Sequence, residues 1–465
     1  MTWDGWSADG KTYDVDRTYR TNGVQQTNTF RSLTIANLKG SGGILRVDSD
    51  LAKNVSDTLT VGADSSASSL FVQVNYDNFY ADSALGKNLA GQALVVTDKS
   101  GKLTVSGMTS EYNAKTFNVT VAKDDDYANN KQWNITKLVD TTPKDPDPTP
   151  DPTPTPDPTP TPVYSENTKH VADTRNNVNN IWQIETNSLV KRLGDLRSMG
   201  KDTSKHDNIW AKYGHGTQKV DSDGRNTEIK YNQFQVGYDK LFDRKDGKMY
   251  RGFMVSRING DATYTRGTGT TNETTLGLYQ TWMGNKGHFY DVILRHGKIN
   301  TDYNVTDLSN NYSTGDYSVW ATTLSGEYGY RKELGKGTYI EPSAELIFGH
   351  VGSADYTTHT DALGMNSYLE ATKHAITRLG FMTGKDFGKA NAYFKANYYN
   401  DFAGSGSVVT DDVTLEGVNV RNWTELGLGG NVQLSKNASA YAEVRKLFGN
   451  LKSNVNFSVG ARWSF

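Results

Sequence analysis

Acidic and basic side chains that alternate with apolar ones are the groups in this sequence best suited to chemistry. They lie on strand-like segments in the second half of the chain, where polar and apolar positions follow each other with a period of two. Carboxylates gathered on one surface could exchange protons in acid–base catalysis, or could pair with neighbouring arginines. The acidic members are Asp291, Glu327, Glu341, Glu345, Glu425 and Glu443, and the basic members are Arg295, Arg378, Arg445 and Arg462.

Composition excludes several other kinds of site. The 465 residues contain no cysteine, which excludes disulfides, thiolate metal sites and cysteine nucleophiles. The eight histidines are scattered without the spacing of metal ligands, and no zinc-protease, nucleophile-elbow or phosphate-loop motif occurs. A formal net charge of −2 does not point to nucleic acid. We expect no metal, no cofactor and no catalysis on a separate substrate.

About twelve strand-like segments follow Asp207, and the last one shows their pattern most clearly. One set of its side chains is apolar, and the set between them is polar. The apolar set is Val455, Phe457, Val459, Ala461, Trp463 and Phe465, and the polar set is Asn456, Ser458, Gly460, Arg462 and Ser464. A period of two puts the sets on opposite faces of a strand. No apolar run in the chain is long enough for a transmembrane helix.

The links between these segments are alternately short and long. The short links are 242–248, 284–288, 333–337, 385–390 and 435–438, and the long ones are 217–227, 259–274, 300–316, 352–368 and 403–421. Tight turns at one end and long loops at the other are typical of an outer-membrane barrel, whose closure leaves no open strand edge. The sequence predicts an all-β fold with a 12-stranded transmembrane antiparallel barrel over residues 201–465.

Residues 163–200 predict an α-helix, because apolar residues from Val171 to Leu196 recur about three, four or seven positions apart. The other positions are so polar that the helix must lie in water or in a polar channel. About thirty residues at 1.5 Å each give roughly 45–50 Å, enough to cross a bilayer and its interfaces. We expect this helix to span the pore of the barrel.

Two regions precede the helix. Ten of the eleven prolines lie in residues 143–162, which predicts an extended polyproline II linker of roughly 60 Å. Residues 1–142 alternate short β-rich runs with turns, which predicts a β-sandwich or the last turns of a β-solenoid. The first residues lack the basic start and apolar core of a signal peptide, so we expect a fragment without one.

Several segments resemble the C-terminal portion of a bacterial autotransporter (type Va secretion). NSLVKRLGDLR (187–197) is similar to the family motif at the end of the pore helix. YIEPSAELIFG (339–349), ITRLGFMTGKDF (376–387) and RWSF (462–465) are similar to the β-domain. LKGSGGILRVDSDLAKNVSDTLTVG and KQWNITKLV resemble the last rungs and cap of a pertactin-like passenger.

This resemblance implies an outer-membrane barrel that exports its own N-terminal passenger and displays residues 1–162 at the cell surface. It also implies help from periplasmic chaperones and from the barrel-assembly machinery. That machinery would read the C-terminal aromatic strand, with Trp463 and Phe465 as the signal. The barrel would be a monomer surrounded by outer-membrane lipid.

The resemblance further implies a candidate site of self-cleavage. In self-cleaving members an asparagine of the pore helix attacks its own carbonyl, and motif alignment places it at Asn187. The assisting acids fall on Asp291, Glu345 and Glu327. The next residue is Ser188, where those members carry a second asparagine, so this sequence departs from the pattern.

A purely structural role for the same groups stays open. The acids could pair with the lumen arginines and with Lys191, Arg192 and Arg197 of the helix, for which Glu341 and Arg378 are the expected barrel contacts. The alternative function is an uncleaved surface adhesin or structural protein anchored by the barrel. A diffusion porin is disfavoured, since a porin needs neither a pore helix nor a proline spacer.

Overall fold

The computed structural model describes residues 12–14, 30–75, 89–143, 163–186, 207–222, 225–308, 310–360, 364–404, 406–416 and 421–465. These residues form an N-terminal module of β-strands, one long α-helix and a closed β-barrel. The predicted proline linker after Pro143 lies outside the described residues, as does the part of the predicted helix from 187 to 200.

The N-terminal module, described between residues 12 and 143, consists of two sheets. Its elements are β1 (Thr12–Asp14), β2 (Ser32–Ile35), β3 (Gly43–Asp50), β4 (Val55–Ser56), β5 (Thr58–Val61), β6 (Ser69–Asn75), β7 (Leu89–Asp98), β8 (Thr104–Gly107), β9 (Thr109–Tyr112), β10 (Lys115–Lys123), α1 (Tyr127–Asn130) and β11 (Gln132–Asp140). Strands β1, β3, β6 and β8 pair in parallel in one sheet, and β2, β5 and β7 do so in the other. Antiparallel strands β11, β10 and β9 complete the second sheet.

Parallel stacking of short successive strands favours the solenoid among the two folds predicted for this region, because sandwiches are built from antiparallel sheets. Apolar side chains fill the space between the stacked strands. They include Leu45, Val47, Leu59, Val61, Val72, Val74, Val95 and Val105. Each buried Val or Leu contributes about 1.5–3 kcal/mol relative to an exposed one, so this core can hold the module together.

Helix α2 spans Glu166–Thr186 and lies inside the barrel. All of its residues are buried except Lys169 and Asn179, which are half-buried. Such a polar helix can be buried on every side only where its surroundings offer polar partners. At 1.5 Å per residue it is roughly 31 Å long, close to the thickness of the apolar core of a bilayer. No helix among the described residues is both long and apolar enough to cross a membrane.

The barrel wall is antiparallel throughout and closes where β12 pairs with β29. Its strands are β12 (Asp207–Ser222), β13 (Arg225–Arg244), β14 (Gly247–Tyr264), β15 (Gly267–Gly284), β16 (His288–Thr306), β17 (Tyr312–Tyr330), β18 (Lys332–Gly335), β19 (Thr338–Val351), β20 (Ala354–Thr360), β21 (Met365–Leu369), β22 (Thr372–Asp386), β23 (Ala390–Asp401), β24 (Ser407–Thr410), β25 (Val413–Glu416), β26 (Asn422–Gln433), β27 (Ala438–Gly449), β28 (Leu451–Lys452) and β29 (Asn456–Ser464). The short strands continue or flank the long ones, so twelve transmembrane strands form the wall, as predicted.

The two ends of the barrel differ. Asp207 and Phe465 exchange backbone hydrogen bonds, which places the first and last barrel strands together at what we call the terminal end. The tight turns predicted from the sequence lie at this end. The opposite end carries the N-terminal module, and we call it the module end.

The long links at the module end were predicted as loops, and that prediction was wrong in extent. Strand β12 continues to Ser222 and β13 begins at Arg225, so two residues join them. Residues 265–266 likewise join β14 to β15. The links 352–368 and 403–421 carry β20 with β21 and β24 with β25. Beyond the apolar band the outward positions become polar, as at Asn259 and Asp261, and inward positions such as Ile258 and Ala262 are apolar. The alternation that marks a membrane strand is therefore lost, although the backbone pairing continues.

The predicted alternation of faces is confirmed. All ten acidic and basic side chains assigned to the inner face are buried. The outward positions carry large exposed apolar side chains, among them Phe253, Val255, Leu276, Leu278, Val292, Leu294, Leu346, Phe348, Leu379, Leu428, Val444 and Phe457. A continuous apolar belt of this kind must be covered by lipid, because its exposure to water would be unfavourable.

Candidate functional site

The three acids predicted to assist cleavage lie side by side on the inner wall. Asp291 on β16 is opposite Glu327 on β17, and Glu327 is opposite Glu345 on β19. All three are at most 5% exposed. Directly opposed residues on neighbouring strands are about 5 Å apart, so these carboxylates form one cluster, which we call the acid row.

Arg378 holds two members of the acid row. Its Nη2 lies 2.7 Å from Oε1 of Glu327, and its Nε donates to Oε2 of Glu345 at 2.8 Å. Its Nη1 donates to Asn397 Oδ1 at 3.1 Å. The third acid, Asp291, accepts a hydrogen bond from the Thr281 hydroxyl. One guanidinium therefore contacts two buried carboxylates, which is the kind of pairing that the structural interpretation of these residues expects.

A small cavity of about 10 Å³ adjoins the acid row. Its lining includes Glu327 and Arg378, together with Glu341, which was predicted as a contact of the pore helix. A cavity of this size in polar surroundings has room for about one water molecule. Such a water could relay a proton between the acid row and a neighbouring group.

A second ion-pair network occupies the adjacent wall. Lys395 Nζ lies 2.9 Å from Oε1 of Glu425 and 3.0 Å from Oε1 of Glu443. Arg445 Nη1 lies 3.1 Å from Oε2 of Glu425, and its Nη2 donates to the Tyr231 hydroxyl at 3.3 Å. Two carboxylates face two cations in this network, so these buried charges compensate each other.

Glu185 anchors the last described turn of α2. Its carboxylate accepts hydrogen bonds from Gln233 at 2.6 Å, from Gln235 at 2.9 Å and from the Ser256 hydroxyl at 2.7 Å. Arg295 Nη1 lies 3.2 Å from its Oε1 and also donates to the Glu185 carbonyl. Four wall residues thus hold the helix two positions before Asn187.

Arg175 fixes the middle of α2 to the link between β19 and β22. Its Nε donates to the Thr372 hydroxyl at 3.0 Å. Its Nη1 donates to the carbonyl of Gly352 at 3.0 Å, and its Nη2 donates to the carbonyls of Val351 at 3.0 Å and Glu370 at 2.7 Å. A guanidinium has its N–H donors in a fixed planar arrangement, so it can bond to several carbonyl oxygens only when the backbone holds them in a matching arrangement. The contact is therefore specific for the folded conformation of this link.

Trp182 fits into a slot in the wall. Its Nε1 donates to Thr323 Oγ1 at 2.7 Å, and its ring stacks on His374 with 4.2 Å between centroids. His374 is held in turn by Asp401, 2.6 Å away. The slot exists because position 349 is glycine: a Cβ on Gly349 would lie 2.1 Å from the indole ring.

The wall matches the model of the autotransporter beta-domain over residues 209–445, which is just over half of the chain. The chain belongs to this family. As an autotransporter β-domain, the barrel is located in the outer membrane, and this confirms the predicted family and location.

Similar proteins agree with this assignment. The pertactin autotransporter of Bordetella parapertussis is 29% identical over 293 residues, which are 61% of this chain and 31% of the relative. The BrkA autotransporter of Bordetella pertussis is 26% identical over 297 residues, 62% of this chain and 29% of the relative. The chain thus spans about a third of the length of these relatives. The translocator domain of NalP from Neisseria meningitidis has the same fold, with a TM-score of 0.50, 11% identity and coverage of 62% of this chain and 98% of that one.

Several predicted site residues of this autotransporter lie outside the described part of the chain. They are Asn187, Ser188, Lys191, Arg192 and Arg197. The structure therefore brings together the acids expected around the cleavage site, whereas the asparagine itself falls in the segment that follows the described helix. Trp463 and Phe465, the predicted assembly signal, point outward and are about half exposed. The described residues contain no cluster of metal ligands.

Sequence reasoning missed the three helix residues that the autotransporter wall holds most closely, Arg175, Trp182 and Glu185. Polar residues fill this helix on all sides, so no face of it distinguished these positions. One usable signal was the glycine at position 349, inside the motif already noted, because a glycine in the middle of a strand often marks the close approach of another group.

Proposed function

We propose that this autotransporter barrel exports an N-terminal passenger across the outer membrane and keeps its last part at the cell surface. The domains would be the end of the passenger (1–142), the linker (143–162), the pore helix (163–200) and the barrel (201–465). The observation that carries the proposal is the position of α2, which runs inside the barrel and leads to a β-module at the module end, opposite the terminal end where Asp207 and Phe465 meet.

An epitope test addresses export directly. A short tag in the exposed turn at residues 99–102 should be reached by antibody on intact cells that express the chain behind a secretory signal peptide. The same tag in the tight turn at residues 245–246 should become accessible only after the outer membrane is permeabilised. Equal access to both tags in intact cells would contradict the proposed orientation.

Specific partners of export also belong to the proposal. The outward-facing aromatic side chains of Trp463 and Phe465 on the last strand suit recognition by the barrel-assembly machinery, and periplasmic chaperones would keep the chain unfolded before insertion. Each substitution of Phe465 by a polar residue should then lower the amount of barrel in the outer membrane. An undiminished amount would argue against this part of the proposal.

Self-cleavage at Asn187–Ser188 is the second part of the proposal, supported by the acid row. The side-chain nitrogen of Asn187 would attack its own main-chain carbonyl carbon and close a succinimide ring. A carboxylate of the row would take the proton from this nitrogen, and a proton would pass to the leaving amine of Ser188 as the peptide bond breaks. The buried position of the row suits this role, since desolvation and fixed orientation are both required.

Gel mobility of the expressed protein tests cleavage. We expect two fragments from the wild-type chain, a single full-length band from Asn187→Asp, and slower cleavage by about 10²-fold or more with Glu345→Gln. Glu416→Gln, an exposed acid at the module end, is the matched control and should leave the fragments unchanged. One full-length band from the wild type and Asn187→Asp alike would favour the alternative function, an uncleaved surface adhesin anchored by the barrel.

A further inference from the structure

The β9–β10 turn of the N-terminal module sits on the module end of the barrel, where α2 begins. Ala114, in this turn, is fully buried and belongs to the same apolar cluster as residues of α2 and the barrel wall. Asn113 has a φ of 48°, which lets the turn fold back tightly. The turn is thus shaped to fill an opening rather than to lie in solvent.

Glu111 joins three elements at this opening. Its Oε1 accepts a hydrogen bond from the backbone N–H of Glu166 at 2.9 Å, and its Oε2 accepts one from the backbone N–H of Leu308 at 3.0 Å. The first donor is an N–H at the start of α2, where helices leave such groups without partners inside the helix. The second belongs to the link between β16 and β17, so one carboxylate connects the module, the helix and the wall.

Further contacts surround this anchor on the other links. Thr360, next to the β20–β21 turn, donates to Asn113 Oδ1 at 3.0 Å, and Asn167 Nδ2 donates to the Asn113 carbonyl at 3.5 Å. Lys115 pairs with Asp412 in the β24–β25 turn. Three separate links of the barrel therefore touch a segment of only a few residues.

We propose that the β9–β10 turn is an external stopper that closes the helix-filled barrel after export, with Glu111 as the residue that holds it in place. The stopper would prevent ions from passing beside α2 and would fix the module upright on the barrel. The stopper describes the protein after export is complete, so this proposal rests on the proposed export function. The test uses purified, folded protein, and a failure of docking can therefore be distinguished from a failure of export.

Docking of the stopper should depend on pH. Burial, reinforced by the nearby Asp307, raises the pKa of Glu111 to about 7. Below this pH the docked carboxyl is neutral, whereas above it a charge must be held in a buried contact. The docked state is therefore favoured at low pH and loses stability as pH rises through about 7. The loss from pH 5.5 to 8.5 should be on the order of 30-fold in the docking equilibrium, if the undocked group titrates near 4.5.

Other charged groups face Glu111 and must be told apart from it. Asp307 lies on the β16–β17 link, and Glu166 begins α2 and pairs with Lys169 at 3.0 Å. His170 of the same helix lies 3.2 Å from the Thr306 carbonyl. On the module side Lys115 pairs with Asp412, and burial raises the pKa of the neighbouring Asp411. A variant of Glu111 itself separates its contribution from theirs.

Thiol labelling measures the stopper, because the chain has no cysteine of its own. Ala114→Cys should react slowly with a maleimide at pH 6, and its rate relative to the exposed control Lys102→Cys should rise by at least tenfold at pH 8.5. This rise should vanish with Glu111→Gln and persist with Glu416→Gln. Thr360→Cys, on the barrel side of the contact, serves in the same way if the Ala114 variant does not fold.

Two results would overturn the proposal. Labelling of both Ala114→Cys and Thr360→Cys at the rate of the exposed control, at every pH, would show that the turn is not docked. A pH-dependent rise that survives Glu111→Gln would assign the dependence to another group, with His170 as the first suspect, and would remove Glu111 as the anchor.

Discussion

Replacement of Arg378 by methionine should lower the stability of the barrel by about 3–5 kcal/mol, because it leaves two buried carboxylates without their cation. Glu327 and Glu345 both depend on this guanidinium, at 2.7 and 2.8 Å. Methionine keeps much of the volume of the arginine stem, so the loss measures charge rather than packing. The midpoint of urea unfolding in detergent, followed by tryptophan fluorescence, gives the value.

The control for this experiment removes the stranded charges. Arg378→Met combined with Glu327→Gln and Glu345→Gln should recover most of the loss, since no uncompensated carboxylate remains. If the triple variant is as unstable as the single one, the effect comes from packing and the acid row is not held by charge. Because Glu345 also belongs to the proposed cleavage machinery, the comparison uses an Asn187→Asp background, in which cleavage cannot alter the unfolding curve.

Replacement of Arg175 by methionine should loosen the helix in the pore. It leaves one hydroxyl and three carbonyl acceptors without this donor, and two of them, the Thr372 hydroxyl and the Val351 carbonyl, are in buried contacts. Each buried acceptor left unsatisfied costs about 1–3 kcal/mol, and partial relaxation of the link should leave a total on the order of 3 kcal/mol. In planar bilayers we expect the variant to show frequent open-channel events at voltages where the wild type stays closed.

Lys169→Met is the matched control for Arg175→Met. Lys169 is a basic residue of the same helix, is half-buried, and pairs with Glu166 one turn away. Pairs of this kind contribute a few tenths of a kcal/mol, so the control should remain closed and nearly as stable as wild type. Open-channel events at the same frequency in both variants would mean that Arg175 does not secure the helix.

The wall of the barrel was predictable because the membrane imposes one simple rule on it. Lipid requires apolar side chains on one face, and the strand period then assigns residues such as Glu345 and Arg378 to the other face without knowledge of the fold. The same rule stops at the edge of the bilayer. For this reason β14 and β15, which continue to Tyr264 and from Gly267, looked like a loop in the sequence.

The candidate site was predictable only in part. In a meander, Asp291 and Glu327 lie on neighbouring strands and become direct neighbours once the register of the two strands is known. The resemblance to the family indicated that these two acids belong to one site. The partners of α2 follow no such rule, since a helix that is polar all round gives no sign of its rotation in the pore. Arg175 and Glu185 became distinct only through the wall residues that surround them, and Glu111 only through a contact between regions far apart in the chain.

The glycine at position 349 also sets a limit on how α2 can be altered. One residue inserted between Glu166 and Trp182 would advance the indole by about 1.5 Å and turn it by about 100°, away from the gap that Gly349 leaves for it. The wall thus favours one axial position and one rotation of α2 in the pore. Cargo joined before residue 163 leaves that position unchanged, whatever its length. Anyone who uses this barrel as a display scaffold should therefore vary the linker and keep the helix intact.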